Sequence, residues 1–206
     1  MCCPQLDHNL FCTAVTKWLS YEGYSKCRWA RFYGRDVLLV RAQASTAYLH
    51  LLPTPYSRAE VLAPLATADI SDAFESRSAG GCTWQRRTLI HLWEDQWREH
   101  APIVQSRLLA QLGRSKRLFA RETRAERIDA ARLDSFLLAH HLWGSTKARY
   151  RYGLYERREG GELVAVASFS ARWKMRRHGH TRASHELIRY CSRQGETVVG
   201  GISKLL

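Results

Sequence analysis

Apolar residues recur in short blocks whose spacing changes along the chain. Leu10, Phe11, Val15, Trp18 and Leu19 share one helical face and predict a helix over 8–24, ended at Gly23. Residues 29–41 are rich in β-formers around a turn at Gly34, and Ala47–Leu52 reads as a second strand stopped by Pro53 and Pro55. Ser57 and Glu60 have the spacing of a capping box for a helix from Arg58, which Pro64 breaks; 78–81 reads as a loop. The clearest local signal is the apolar run Leu89–Trp93, a buried strand leading into Glu94, Asp95 and Trp97. Pro102 suits the first turn of a helix carrying Ile103, Val104, Leu108, Leu109 and Leu112, with Gly113 at its end.

After Gly113 the pattern restarts. Residues 118–124 read as a strand. Asp129 caps a helix through His141, with Leu133, Phe136, Leu137 and His140 at i, i+3, i+4 and i+7, ended by Gly144. Residues 149–156 alternate, 158–161 form a hairpin turn, and Leu163–Ser170 is a partner strand apolar on both faces. A basic loop over 171–185 follows, then a strand over 186–191 that begins with Glu186. The segment 198–206 reads as a strand end, a Gly-Gly turn and the first turn of a helix. The expected fold class is α/β (α+β) in two parts, 1–113 and 114–206.

Composition narrows the class. The chain has 206 residues, 45% hydrophobic and 25% charged, an ordinary globular balance that excludes collagen, coiled coil and wholesale disorder. Its apolar runs are far short of the roughly 20 residues of a membrane span. Met1–Asp7 has no basic segment followed by an apolar one, so an intracellular protein without a membrane partner is expected. Cys2, Cys3, Cys12, Cys27, Cys82 and Cys191 show no C-x-x-C pair, which points to free thiols in a reducing compartment and to no metal site. The adjacent Cys2 and Cys3 also suit acylation.

Charge is distributed unevenly. Residues 1–113 carry 12 basic and 10 acidic side chains; residues 114–206 carry 20 and 9. An excess of cations confined to one part suggests a polyanionic partner, with nucleic acid (DNA or RNA) first. The densest cluster is Arg172, Trp173, Lys174, Arg176, Arg177 and Arg182, where cations can pair with phosphates and an aromatic ring offers a stacking face. His178, His180 and His185 lie in or beside it, without the carboxylate or cysteine that would complete a metal set. Glu186 beside this cluster suits a general base, or an ion pair with Arg182 or Arg189. In Val199-Gly200-Gly201-Ile202-Ser203-Lys204 a glycine turn opens a helix, a backbone pattern that can cradle a pyrophosphate or serve as a plain tight turn.

The order of elements from Leu118 onward resembles the N-terminal and central part of GNAT-type N-acetyltransferases. The blocks 136–144, 152–155, 161–165, 186–191 and 198–205 are similar to the second part of a group of two-part phage and plant proteins, a likeness covering about 88–206. That resemblance implies acetyl-CoA or another acyl-CoA held by Val199, Gly200, Gly201, Ile202, Ser203 and Lys204. It also implies Glu186 as base and the 172–182 cluster beside the acceptor. Relatives continue past this helix with another strand and helix. The end at Leu206 therefore implies a truncated domain that a partner protein would complete. Leu89–Trp97 looks like the last core strand and helix of very-short-patch-repair endonucleases and related homing-type nucleases, an αβββα fold. Their chemistry needs clustered carboxylates for Mg²⁺. Asp36 can stand as the first carboxylate, but Ala47–Pro53 offers neither carboxylate nor lysine, which implies a degenerate site, and Glu94 and Asp95 suit a helix N-terminus. The leading expectation is a nucleic-acid-associated acyltransferase-like protein. The alternatives are a Mg-dependent endonuclease or its remnant, and a non-catalytic basic subunit of a nucleoprotein particle.

Overall fold

The computed structural model describes residues 10–32, 35–42, 45–54, 86–177 and 180–206. The turn at Gly34, the capping box at Ser57, the break at Pro64, the loop at 78–81, Cys2, Cys3, Cys82 and His178 lie outside these residues. The chain belongs to the mixed α+β class and divides into two compact units. The first runs to Ala101 and takes back Gln111–Gly113; the second comprises Pro102–Ala110 and Arg114–Leu206. No described helix is long and apolar enough to cross a membrane.

In the first unit, helix α1 (Leu10–Tyr21) buries Phe11, Cys12, Val15 and Leu19, the face its spacing predicts. Strands β1 (Arg28–Phe32), β2 (Arg35–Arg41), β3 (Ser45–Leu52) and β4 (Arg86–Trp93) form one sheet in that order. The first two pairings are antiparallel and β3–β4 is parallel. Helix α2 (Glu94–Glu99) follows β4 directly, and its Trp97 ring packs edge-on against Phe11 and Trp18 of α1.

Helix α3 (Ala101–Gln111) carries Pro102 in its first turn and buries Ile103, Val104 and Leu108. The single strand expected over 118–124 is two strands, β5 (Lys116–Phe119) and β6 (Thr123–Arg127), separated by a 3-10 turn at Ala120–Glu122. The turn forms because Thr123 Oγ1 donates to the Ala120 carbonyl at 2.7 Å and buries both residues. Helix α4 (Ala130–His140) is capped by Asp129, whose carboxylate accepts from the Arg132 N–H at 2.7 Å.

Strands β7 (Tyr150–Glu156) and β8 (Leu163–Phe169) form the predicted hairpin. The segment expected as a loop over 171–185 is instead a β-ribbon, β9 (Trp173–Arg177) with β10 (His180–Ser184). Strand β11 (Leu187–Ser192) completes an antiparallel sheet of order β11-β8-β7-β6. A tight turn at Gly195 then leads into β12 (Glu196–Val199), which pairs parallel with β5, and the short α5 (Gly201–Leu205). Arg193 holds that turn by pairing with Glu162 and Glu196, and Glu196 also receives Lys116 at 3.1 Å.

Both faces of the β11-β8-β7-β6 sheet are covered. Leu133, Phe136 and Leu137 of α4 pack with Val166 and Cys191 on one face. Ala120, Leu154, Ala165, Ala167, Phe169, Val198 and Leu205 form the core on the other. This double cover is why β8 reads as an uninterrupted apolar run.

Candidate functional site

The β9–β10 ribbon gathers most of the predicted cations. Antiparallel register opposes Trp173 with Ser184, Lys174 with Ala183, Met175 with Arg182 and Arg176 with Thr181. Opposed residues share a face, so Trp173, Met175 and Arg182 lie on one side and Lys174 and Arg176 on the other. Trp173 is 64% exposed and Met175 53%. Two large apolar side chains thus stand exposed among cations. Arg177 occupies the last position of β9, opposite His180, and Arg172 precedes the ribbon.

Paired acidic side chains of the second unit are engaged away from this ribbon. Glu122, Glu126, Glu156, Glu162 and Glu196 each pair with an arginine or lysine outside it. Among the described residues, the side chains of Arg172, Lys174, Arg176 and Arg182 have neither a hydrogen bond nor an ion pair, and residues 171–185 contain no acid. The acidic residues thus neutralise cations elsewhere and leave the ribbon positive.

At the foot of the ribbon a cavity of about 540 Å³ is lined by Trp173, Lys174, Met175, Ser184, His185 and Glu186. Glu186 is not the first residue of a strand, as its sequence context suggests, but lies just before β11. Its N–H donates to Ser170 Oγ at 2.9 Å and its carbonyl accepts from the Ser170 N–H at 2.9 Å. These two bonds consume its backbone away from the ladder. The carboxylate is exposed and has no partner among the described residues; neither Arg182 nor Arg189 pairs with it. The His185 ring packs edge-on to Tyr150 at 5.2 Å.

The Gly-Gly turn is formed as predicted, but its side chains are committed inward. Gly200 is left-handed at φ 77° and caps α5 without a side-chain bond. It follows β12, which pairs with β5 outside the main sheet. A Cβ on Gly201 would overlap the Tyr190 hydroxyl and stand 3.0 Å from Val198 Cγ1, so glycine is required there for packing. Lys204 Nζ donates to the carbonyls of Ala120 (2.6 Å) and Thr123, closing α5 onto the 3-10 turn. The Lys204 side chain therefore does not fit a phosphate cradle. Val199 ends β12, while Ile202 and Ser203 are exposed on the first turn of α5.

Asp36 sits on β2 opposite Arg31, and β3 beside it carries no carboxylate. Glu94 accepts from the Thr54 N–H (2.8 Å) and hydroxyl, and from Arg98 (2.7 Å), which together hold its carboxyl below the usual range. Asp95 accepts from the Gln96 N–H. Among the described residues, no three His, Cys, Asp or Glu side chains converge. Cys191 is a core thiol: burial pushes it up to about 11, and its Sγ donates to the His140 carbonyl.

No family model matches the chain, and no curated protein or solved structure does so.

Two features lie outside the sequence-based expectations. Met175 joins Trp173 on one face through period-2 spacing within a cationic run. A cavity lined by Asp134, Lys147 and Arg151 forms only where α4, the segment after it and β7 meet.

Proposed function

We propose that the chain is a nucleic-acid-binding protein that engages its partner through the β9–β10 ribbon. The observation that carries this reading is the set of exposed cations without internal partners around an exposed Trp173. Lys174, Arg176 and Arg182 contact phosphates, and Trp173 and Met175 supply an apolar face against a base or sugar. A two-stranded ribbon is also narrow enough to enter a groove.

Titration of a fluorescent oligonucleotide over a range of salt tests the proposal. Arg176→Gln with Arg182→Gln is expected to lower the slope of log affinity against log salt by roughly 0.7–0.9 per cation removed. Trp173→Ala is expected to weaken binding about tenfold without altering that slope. Salt-insensitive binding, or variants that bind like the wild type, would reject the ribbon.

Acyl transfer is a second reading, favoured by the unpaired Glu186 carboxylate in the cavity at the ribbon foot. It uses the backbone of 199–203 rather than Lys204. Calorimetric titration with acetyl-CoA is then expected to give a binding isotherm, and an absence of heat removes this reading.

A further inference from the structure

Helix α4 carries Ala130, Leu133 and Asp134 at i, i+3 and i+4, which puts the three on one face. That face, residues 145–148 and the start of β7 border a cavity of about 510 Å³. Its lining joins one acid, Asp134, with two cations, Lys147 and Arg151, and with the hydroxyls of Ser145 and Thr146. Asp134, Ser145, Thr146 and Arg151 are half-buried. Ala130, the buried Leu133 and Ala148 supply the apolar part of the wall.

The opposite charges on this wall do not close on one another. The Asp134 carboxylate accepts from the Ser145 hydroxyl and, among the described residues, pairs with no cation. The Arg151 guanidinium donates to the Ala148 carbonyl at 2.7 Å and pairs with no acid among the described residues. The Lys147 ammonium and the Thr146 hydroxyl have no partner among them either. An uncharged neighbour thus anchors the acid and another anchors the arginine, while the two signs stay apart around one space. Lone pairs of the carboxylate and most of the guanidinium donors are left unused. Half-buried opposite charges gain by pairing, so holding them apart beside a cavity presents two complementary ends to a ligand that carries both signs.

We propose that this cavity binds the zwitterion of a free α-amino acid with an apolar side chain. Arg151 and Lys147 take its carboxylate, the guanidinium fork matching the two oxygens. Asp134 and the Thr146 hydroxyl take its ammonium. Ala130, Leu133 and Ala148 face its side chain, and the volume falls within the range of small-ligand sites. A purely anionic ligand would meet Asp134 as a like charge, and a purely cationic one would meet Arg151 and Lys147. A ligand with both signs avoids both repulsions.

Thermal unfolding of the full chain with L-leucine, L-methionine and L-phenylalanine in turn tests the site. At about 5 mM the best of them is expected to raise Tm by about 3 °C. Its N-acetyl derivative, which lacks the ammonium, and its amide, which lacks the carboxylate, are expected to give no rise. Glycine, with no side chain for the apolar wall, is expected to give a smaller one. Asp134→Asn and Arg151→Gln are expected to lose the response, while Arg182→Gln on the ribbon keeps it. Without ligand, Asp134→Asn is expected to melt near the wild type, since the amide oxygen still accepts from Ser145. If Arg151→Gln does not fold, Asp134→Asn still decides. No rise with any of these amino acids, an equal rise with glycine or with either derivative, or a full response in Asp134→Asn overturns the proposal. The cavity shares no residue with the ribbon, so the two proposals fail separately.

Discussion

Gly161→Ala is expected to destabilise the second unit by about 3 kcal/mol or more. A Cβ at this position would overlap the Glu156 carbonyl oxygen and stand 2.8 Å from that of Arg158. Both obstacles are backbone, and neither can retreat alone. Gly161 N–H donates to the Arg158 carbonyl at 2.9 Å, and the Glu156 N–H donates to Glu162 at 3.1 Å. Relieving the overlap would open the turn that sets the β7–β8 register, on which the burial of Leu154, Val164 and Ala165 depends. The neighbouring Gly160 provides the control. Its φ is +67°, but a Cβ there meets no atom within 4 Å. Gly160→Ala should therefore cost only the left-handed penalty of about 1 kcal/mol. Urea denaturation of the two variants, followed by circular dichroism, checks the contrast. Equal midpoints for both would show that the turn adjusts and that the overlap has no consequence.

The same hairpin shows what was legible in the sequence. Helix α4 was readable because its apolar residues recur at one-face spacing behind an Asp cap, and β8 because burial on both faces leaves a continuous apolar run. These signals are local. The division between β5 and β6 is not, because no glycine or proline marks it; a buried Thr123 hydroxyl bent onto Ala120 makes the turn. The ribbon looked like a loop because its cations dominate the composition. The alternation of Trp173, Met175 and Arg177 against Lys174 and Arg176 was nevertheless present.

The candidate sites divide along the same line. Cations clustered in sequence stay clustered on a two-stranded ribbon, so Lys174, Arg176 and Arg182 were accessible to inspection. Lys204 was readable as a lysine at the start of a helix, but its carbonyl partners lie more than 80 residues earlier in the chain. The cavity between Asp134 and Arg151 requires α4, the segment after it and β7 to meet. No spacing rule within one segment carries that information.

In the first unit, acidification from pH 6.5 to 4 is expected to remove on the order of 3 kcal/mol of stability through a histidine pair. His50 on β3 and His91 on β4 are register partners whose Nδ1 atoms lie 3.1 Å apart. One ring must donate Nδ1–H and the other accept, so the contact needs the accepting ring neutral. Protonating the acceptor would face two N–H groups toward each other. Burial, the His91 ring and then Arg35 hold His50 down to about 4, and burial also lowers His91. An unfolded histidine titrates near 6.5, so between these values the unfolded chain binds more protons and stability rises with pH. The contribution is complete above about pH 6.5 and is lost as pH falls toward 4. Carboxylates titrate at the lower end of this range, so the comparison needs a variant without the pair, His50→Leu with His91→Leu. Hydrogen exchange of the β3 and β4 amides across this range should show a steep slope in the wild type and a shallow one in the variant. Parallel profiles would place the acid sensitivity in other groups.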